Sequence, residues 1–271
     1  RVGAAVKNNE GEWVLLNGNQ TALMFVYYLI IRWKELGKIN GKEYIVKTIV
    51  TTETIKTIAE RNGVEMYDVY TGFKWIANVM RENEGKKNYI GGGEESYGFL
   101  CEDFVRDKDA VSACVILAEI AAWAKDQGLS LYQLLQKIYV EYGFSKEKGI
   151  SVVKKGKSGA EEIEAMMKKF RENPLTEIAG SKVTYFYDYS TLKGKDYAEN
   201  ETVTLDMPTT SNVLQYFTED NTKVSIRPSG TEPKIKFYCE VHSKVKSIDE
   251  LPEAEKAAEE KINQIKASLG I

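Results

Sequence analysis

The sequence predicts an α/β fold: a mostly parallel βαβ domain followed by a smaller α+β domain. Three observations carry this reading. Between about residues 20 and 147, apolar runs of helical and of strand character alternate, the order that builds a parallel sheet through right-handed crossovers. Beyond about residue 160 the order changes to a helix, a group of short strands and a closing helix. At 271 residues the chain is long enough for about two domains.

The elements follow in order. An apolar helix over Ala22–Leu36 leads into the strand EYIVKTIVTT at 43–52. The helix ETIKTIAERNG (53–63), the strand VEMYDVYT (64–71) and the helix FKWIANVMREN (73–83) come next. The strand NYIGG (88–92) precedes a long helix from about Asp109 to Lys125. In such sheets ligands bind beyond the carboxyl ends of the strands. TGFK follows one strand and GGGEES another, so both segments should open on the same edge.

SKEKGISVVKKGKSGA at 145–160 is rich in Lys, Gly and Ser and reads as a domain boundary. After it, EEIEAMMKKFREN forms an amphipathic helix that stops at Asn173-Pro174. Five short strands are expected: KVTYFYDY, TVTLDMP, NVLQYF, KVSIR and KIKFYCEV. The last segment, LPEAEKAAEEKINQIKASLG, is a helix with Pro252 near its start and Gly270 at its end.

Composition excludes several classes. A formal net charge of −3 gives no argument for nucleic acid or an acidic membrane surface as partner. Cys101, Cys114 and Cys239 are widely spaced and odd in number, which suits free thiols in a reducing, cytoplasmic setting rather than a disulfide framework or zinc site. ALMFVYYLII at 22–31 is too short to span a bilayer. His242 is the sole histidine, which removes most Ser-His and Cys-His machinery.

Two segments carry chemistry. Arg227-Pro228-Ser229-Gly230-Thr231-Glu232-Pro233 lies between two alternating strands and combines a guanidinium, two hydroxyls and a glycine. Those are the parts of an anion cradle, a planar bidentate donor with a nest of amides. The same residues also suit an ordinary hairpin tip. The second segment, IGGGEESYGF at 90–99, sets three glycines before Glu94, Glu95 and Ser96. A glycosidase-like pair of Glu94 and Glu95 is disfavoured, because neighbours in extended chain point opposite ways. Glu94 and Ser96, two apart, face one way into a cleft, where a carboxylate and a hydroxyl suit two sugar hydroxyls. A glycine-rich turn with solvated glutamates is the other reading of these residues.

Together, GEES and RPSGTEP resemble the α-D-phosphohexomutase superfamily, the phosphoglucomutases and phosphomannomutases. TGFKW at 71–75 resembles the family's third substrate loop, and VRDKDAV at 105–111 the segment after its sugar-binding loop. LLNGNQTA at 15–22 resembles the passage from its second domain into its third. The resemblance covers essentially the whole chain. It implies that residues 1–19 end the second family domain, 20–147 form the third and 148–271 the fourth.

The resemblance also implies the roles. Glu94, Ser96, Gly72, Lys74 and Lys108 would contact substrate, and Arg227, Ser229, Gly230 and Thr231 would hold phosphate. The implied reaction moves phosphate between O1 and O6 of glucose or mannose through a bisphosphorylated intermediate. Phosphoglucosamine and phosphopentose mutases, or a non-catalytic phosphosugar binder, are the alternatives. In the family, RVGAAV follows a DxDxDR metal loop, so Arg1 resembles that loop's last residue. The resemblance therefore places the Mg²⁺ ligands and the phosphoserine outside this chain. No catalytic or metal-ligating residue is expected here, and the chain alone should be inactive.

Overall fold

The computed structural model describes residues 1–154, 156–230 and 232–271. The chain divides into two compact units, Arg1–Phe144 with Val245–Asp249, and Ser145–Lys244 with Glu250–Ile271.

The first unit opens with an antiparallel hairpin, β1 (Ala4–Lys7) and β2 (Trp13–Leu16). Helix α1 (Gly18–Glu35) starts four residues before the apolar run, because a polar signal sets its start. Asn17 Oδ1 accepts the Gln20 amide at 2.8 Å, and Gln20 Oε1 accepts the Asn17 amide at 2.9 Å, a reciprocal capping box. Then follow β3 (Glu43–Thr48), α2 (Thr54–Arg61), β4 (Glu65–Val69), α3 (Phe73–Asn83), β5 (Asn88–Gly93) and β6 (Phe99–Cys101). The sheet order is β4-β3-β5-β6, with β3, β4 and β5 parallel and β6 antiparallel. The parallel α/β reading holds.

Helix α4 (Ala110–Asp126) is followed by α5 (Leu131–Tyr142), which the periodicity reading did not include. Its start is again a capping box, Ser130 with Gln133. Strand β3 is buried at every position, Lys47 included. The Lys47 ammonium lies 2.9 Å from Glu53 and 2.7 Å from Asp68, the pairing that a buried charge requires.

The glycine run of β5 is a packing requirement. A Cβ at Gly92 would overlap the Val46 carbonyl oxygen and lie 2.7 Å from the Tyr89 hydroxyl. At Gly93 it would lie 2.6 Å from the Phe99 ring, and at Gly91 3.1 Å from Leu29 of α1. These residues are strand, and only a strand without side chains fits this gap.

The second unit begins at Ser145, inside the segment read as a boundary, and residues 145–153 are regular strand. They belong to β7 (Phe144–Val153), the end strand of a large sheet. Helix α6 (Gly156–Glu172), β8 (Glu177–Ile178), β9 (Ser181–Asp188), β10 (Lys193–Asp196), β11 (Glu201–Thr204), β12 (Leu214–Thr218), β13 (Lys223–Pro228), β14 (Lys234–Ser243) and α7 (Leu251–Leu269) complete the unit. The sheet order is β11-β10-β9-β12-β13-β14-β7, with β8 beside β9. Eight strands stand where five were expected, so the second unit, though the shorter stretch of chain, carries the larger sheet. The core face carries Val224 and Ile226 of β13 and Ile235, Phe237 and Cys239 of β14, all buried. Phe170 of α6 meets Phe237 edge-on, and α7 packs on β14.

Cys101 and Cys239 are buried and their thiols are pushed up to about 12 by desolvation, while Cys114 is exposed. All three are free. Among the described residues no helix is long and apolar enough to cross a membrane.

Gly92→Ala should destabilise the first unit by about 1–3 kcal/mol, the usual cost of forcing atoms into a filled core. At Gly149 in β7 a Cβ meets nothing within 4 Å, so Gly149→Ala should be neutral or slightly stabilising. Urea denaturation of both variants checks the contrast.

Candidate functional site

The carboxyl ends of β3, β4 and β5 converge on one edge of the first sheet, and the two segments expected there meet. Gly72 caps α3 with φ 114°, a left-handed conformation that favours glycine. Its N–H donates to Glu94 Oε1 at 2.8 Å. Glu94 is only 6% exposed, and its own amide donates to the Gly98 carbonyl at 2.8 Å. A carboxylate at the start of α3 also faces the positive end of that helix dipole.

Lys108 joins this group. A Cβ at Gly98 would lie 3.0 Å from Glu94 Oε2 and 3.0 Å from Lys108 Cδ, so the two side chains flank the same glycine. The Lys108 ammonium sits 5.4 Å over the Phe73 ring and bonds Asp107 at 2.9 Å. Asp109 is the N-cap of α4, accepting the Ser112 amide at 2.7 Å. Lys74 is exposed, with its ammonium 5.0 Å from the Trp75 ring. Thus Gly72, Glu94 and Lys108 are brought together, and Lys74 stands on the adjoining first turn of α3. Phe73 is core and Trp75 packs edge-on against Tyr70.

The expected path of the sugar loop needs correction. Residues 95 and 96 form a turn, so the rule that alternate residues share a face does not apply to Glu94 and Ser96. The half-buried Ser96 accepts the Arg1 guanidinium at its carbonyl, and the Tyr97 carbonyl accepts the Val2 amide at 3.0 Å. Glu95 accepts the Thr48 hydroxyl at 3.3 Å.

In the second unit, β13 and β14 form the expected hairpin, with Arg227 opposite Lys236 and Pro228 opposite Ile235. Arg227 and Pro228 are strand residues, so the tip is 229–233. The Ser229 amide donates to the Lys234 carbonyl at 2.7 Å and the Glu232 amide to Ser229 Oγ at 3.3 Å. Those two amides therefore serve the hairpin and not the expected nest. Gly230 is exposed, its φ is not left-handed, and a Cβ there would meet nothing within 4 Å. Thr231 lies outside the described residues.

Because Val224 and Ile226 face the core, Arg227 and Lys236 project from the opposite face. Like charges directly opposite are destabilising, and Lys236 also acts on the nearby Glu232 carboxylate. Lys236 was missed in the sequence, since its neighbour is set by strand register.

Comparison with known proteins now adds to this geometry. Residues 17–142 match the family model described as phosphoglucomutase/phosphomannomutase, alpha/beta/alpha domain III, and residues 151–258 match that of the C-terminal domain. The chain belongs to this family, within the α-D-phosphohexomutase superfamily.

The first match runs from the α1 N-cap to the end of α5. A phosphoglucomutase of Staphylococcus aureus (strain MRSA252) is 37% identical over 238 residues, 88% of this chain and 42% of that protein. One of Staphylococcus haemolyticus is 33% identical over 242 residues, 89% of this chain and 43% of that protein. The chain therefore spans less than half the length of these relatives. The fold is shared with a phosphoglucomutase (parafusin) of Paramecium in an open form, at TM-score 0.58 and 16% identity, covering 96% of this chain and 43% of that one. A Thermus thermophilus protein described as a putative phosphomannomutase gives TM-score 0.55 at 17% identity, covering 95% and 46%.

Among the described residues no three His, Cys, Asp or Glu side chains gather as a metal site. The described residues therefore offer no ligand set that fits the Mg²⁺ the family resemblance implies.

The hydrogen bond from Lys108 holds the Asp107 carboxyl below the usual aspartate range. A depressed carboxyl pKa stabilises the contact above the ordinary value and loses it as pH falls through the lowered one. An NMR titration should place the Asp107 midpoint below the ordinary aspartate value, and Lys108→Met should raise it toward that value, the Lys108 amide still bonding the carboxylate.

Proposed function

We propose that this chain is the sugar- and phosphate-positioning part of a phosphohexomutase that interconverts glucose 1-phosphate and glucose 6-phosphate, with mannose phosphates as related substrates. Residues 20–147 act as the sugar-binding domain, 148–271 as the phosphate-binding domain, and 1–19 as the end of a preceding one. The observation that carries this reading is the meeting of Gly72, Glu94 and Lys108 at the carboxyl edge of a parallel sheet. The names of the curated relatives favour glucose over an amino sugar or a pentose.

In this reading a phosphoenzyme gives its phosphoryl group to one sugar hydroxyl, which loses its proton as the new O–P bond forms. The bisphosphate turns round, and its other phosphoryl group returns to the enzyme. One site must then accept two nearly opposite sugar poses. Glu94 and Ser96 hold hydroxyls in both poses, helped by Gly72, Lys74 and Lys108. Arg227, Ser229, Gly230 and Thr231, with Lys236 beside Arg227, hold whichever phosphate is not reacting. Phosphoryl transfer depends mostly on positioning and charge stabilisation, and these residues supply positioning. Mg²⁺ and the phosphoserine belong to the remainder of such an enzyme, and a cytoplasmic location rests on the three thiols.

Arg227→Ala should weaken glucose 1-phosphate binding by about 1.5–3 kcal/mol, the worth of a hydrogen bond to a charged group, without loss of fold. Glu94→Ala should weaken glucose and mannose phosphates equally and leave inorganic phosphate unaffected. Calorimetric titration of the purified chain checks both. Equal loss of phosphate and sugar-phosphate binding on Glu94→Ala would refute the division of roles. A coupled assay on the chain alone should detect no mutase turnover.

A further inference from the structure

The sugar loop is held from beneath by a residue that the functional reading does not use. Gly18 is the first residue of α1, just after the Asn17 cap. A Cβ on Gly18 would overlap the Glu95 carbonyl oxygen and lie 2.7 Å from the Glu95 carbonyl carbon and 2.7 Å from the Tyr97 nitrogen. All three atoms flank Ser96.

Gly18 has no left-handed φ, so its own backbone does not ask for glycine. Helix propensity favours alanine over glycine in a helix. What excludes a side chain is the approach of residues 95–97. Helix α1 cannot yield, because its capping box fixes its start and it is buried nearly throughout its first three turns. Phe25 stacks on Phe99 at 4.5 Å, and Leu29 lies against Gly91. The loop is the part that would move.

The loop has a second tether. Thr48 and Thr51 are fully buried, their hydroxyls 2.8 Å apart, and Thr48 donates to the Glu95 carboxylate. Tyr97 takes φ 70°, a left-handed conformation that a non-glycine residue holds only where its surroundings impose it. The backbone around Ser96 is thus set from α1 on one side and from the end of β3 on another.

We propose that Gly18 and Glu95 are positioning residues for sugar recognition: they fix residues 95–97 in the one path that sets Ser96 for a sugar hydroxyl. This rests on the sugar-site reading above. Neither residue touches substrate. Gly18 acts by leaving room for the Glu95 carbonyl, and Glu95 by bonding Thr48.

The test is a set of NMR titrations of the purified chain with glucose 1-phosphate, its 4-deoxy analogue and inorganic phosphate. Gly18→Ala and Glu95→Ala should shift the amides of residues 95–97. Both should weaken glucose 1-phosphate roughly five- to tenfold, about what one hydroxyl hydrogen bond contributes, and shrink the preference over the deoxy analogue. Inorganic phosphate binding should not change, which a general loss of structure would not allow. Glu95→Gln keeps an acceptor for Thr48 and should restore most of the sugar affinity. Wild-type affinity and preference in Gly18→Ala, with amides 95–97 unmoved, overturns the proposal. If Gly18→Ala does not fold, unchanged preference in Glu95→Ala overturns it instead. If wild type shows no preference over the deoxy analogue and Glu94→Ala costs nothing, the sugar-site reading fails. The amide shifts of 95–97 in Gly18→Ala still judge the positioning role in that case.

Discussion

The first unit depends on a strand that has no side chains where it is most crowded. Gly91, Gly92 and Gly93 run between Leu29 of α1, the Val46 carbonyl of β3 and the Phe99 ring of β6, at separations that leave no room for a Cβ on Gly92 or Gly93 and little on Gly91. This close fit fixes where β5 ends and where Glu94 emerges. Glycine in a strand forfeits packing and costs entropy. That cost is offset here because α1, almost wholly apolar along residues 21–30, covers the strand directly. The loop at 94–98 is accordingly an extension of the tightest-packed part of the unit, and inherits its position from it.

Around that strand, the polar groups at the carboxyl edge constrain one another. Burying a charge is costly unless it is paired and hydrogen-bonded. Lys47 meets this condition by bonding Glu53 at the start of α2 and Asp68 of β4, so three elements are tied at one ammonium. Thr48 and Thr51 continue the network to Glu95, and Glu94 closes it on the Gly72 amide. A ligand-binding edge built of loops would be mobile on general grounds. Here each loop is fastened to another by a contact that cannot be given up cheaply, so the edge is preorganised.

These features were unequally legible in the sequence. Helix α3 was read residue for residue, because Phe73, Ile76 and Met80 repeat at helical spacing between Gly72 and Glu84. Strands β7 and β10 were missed for the opposite reason. SKEKGISVV and KGKD lie at or next to the sheet's edges, where a strand needs little apolar surface and charged residues blunt the edge. The starts of α1 and α5 were set by Asn17-Gln20 and Ser130-Gln133, side-chain pairs rather than apolar periodicity. At the candidate site, residue types were readable but contacts were not. That Gly72 would donate to Glu94, or that Gly18 would lie under Glu95, depends on the register of elements far apart in the chain.

The two proposed binding regions, one in each unit, solve different electrostatic problems. Glu94 is buried and held by an amide, so any further hydrogen bond it accepts lies in a setting that water scarcely screens. Arg227 and Lys236 stand side by side on the half-exposed face of a hairpin. Their mutual repulsion is softened by solvent and salt, and the Glu232 carboxylate lies close enough to interact with Lys236. A dianionic phosphate would turn that repulsion into a shared attraction, because both cations would then face opposite charge. Exposed cations hold an anion with little demand on its orientation, whereas a buried carboxylate fixes direction. The proposed reaction, in which a sugar bisphosphate turns end for end, would draw on both properties: an anion clamp indifferent to which phosphate it holds, and a rigid acceptor for hydroxyls that the two poses share.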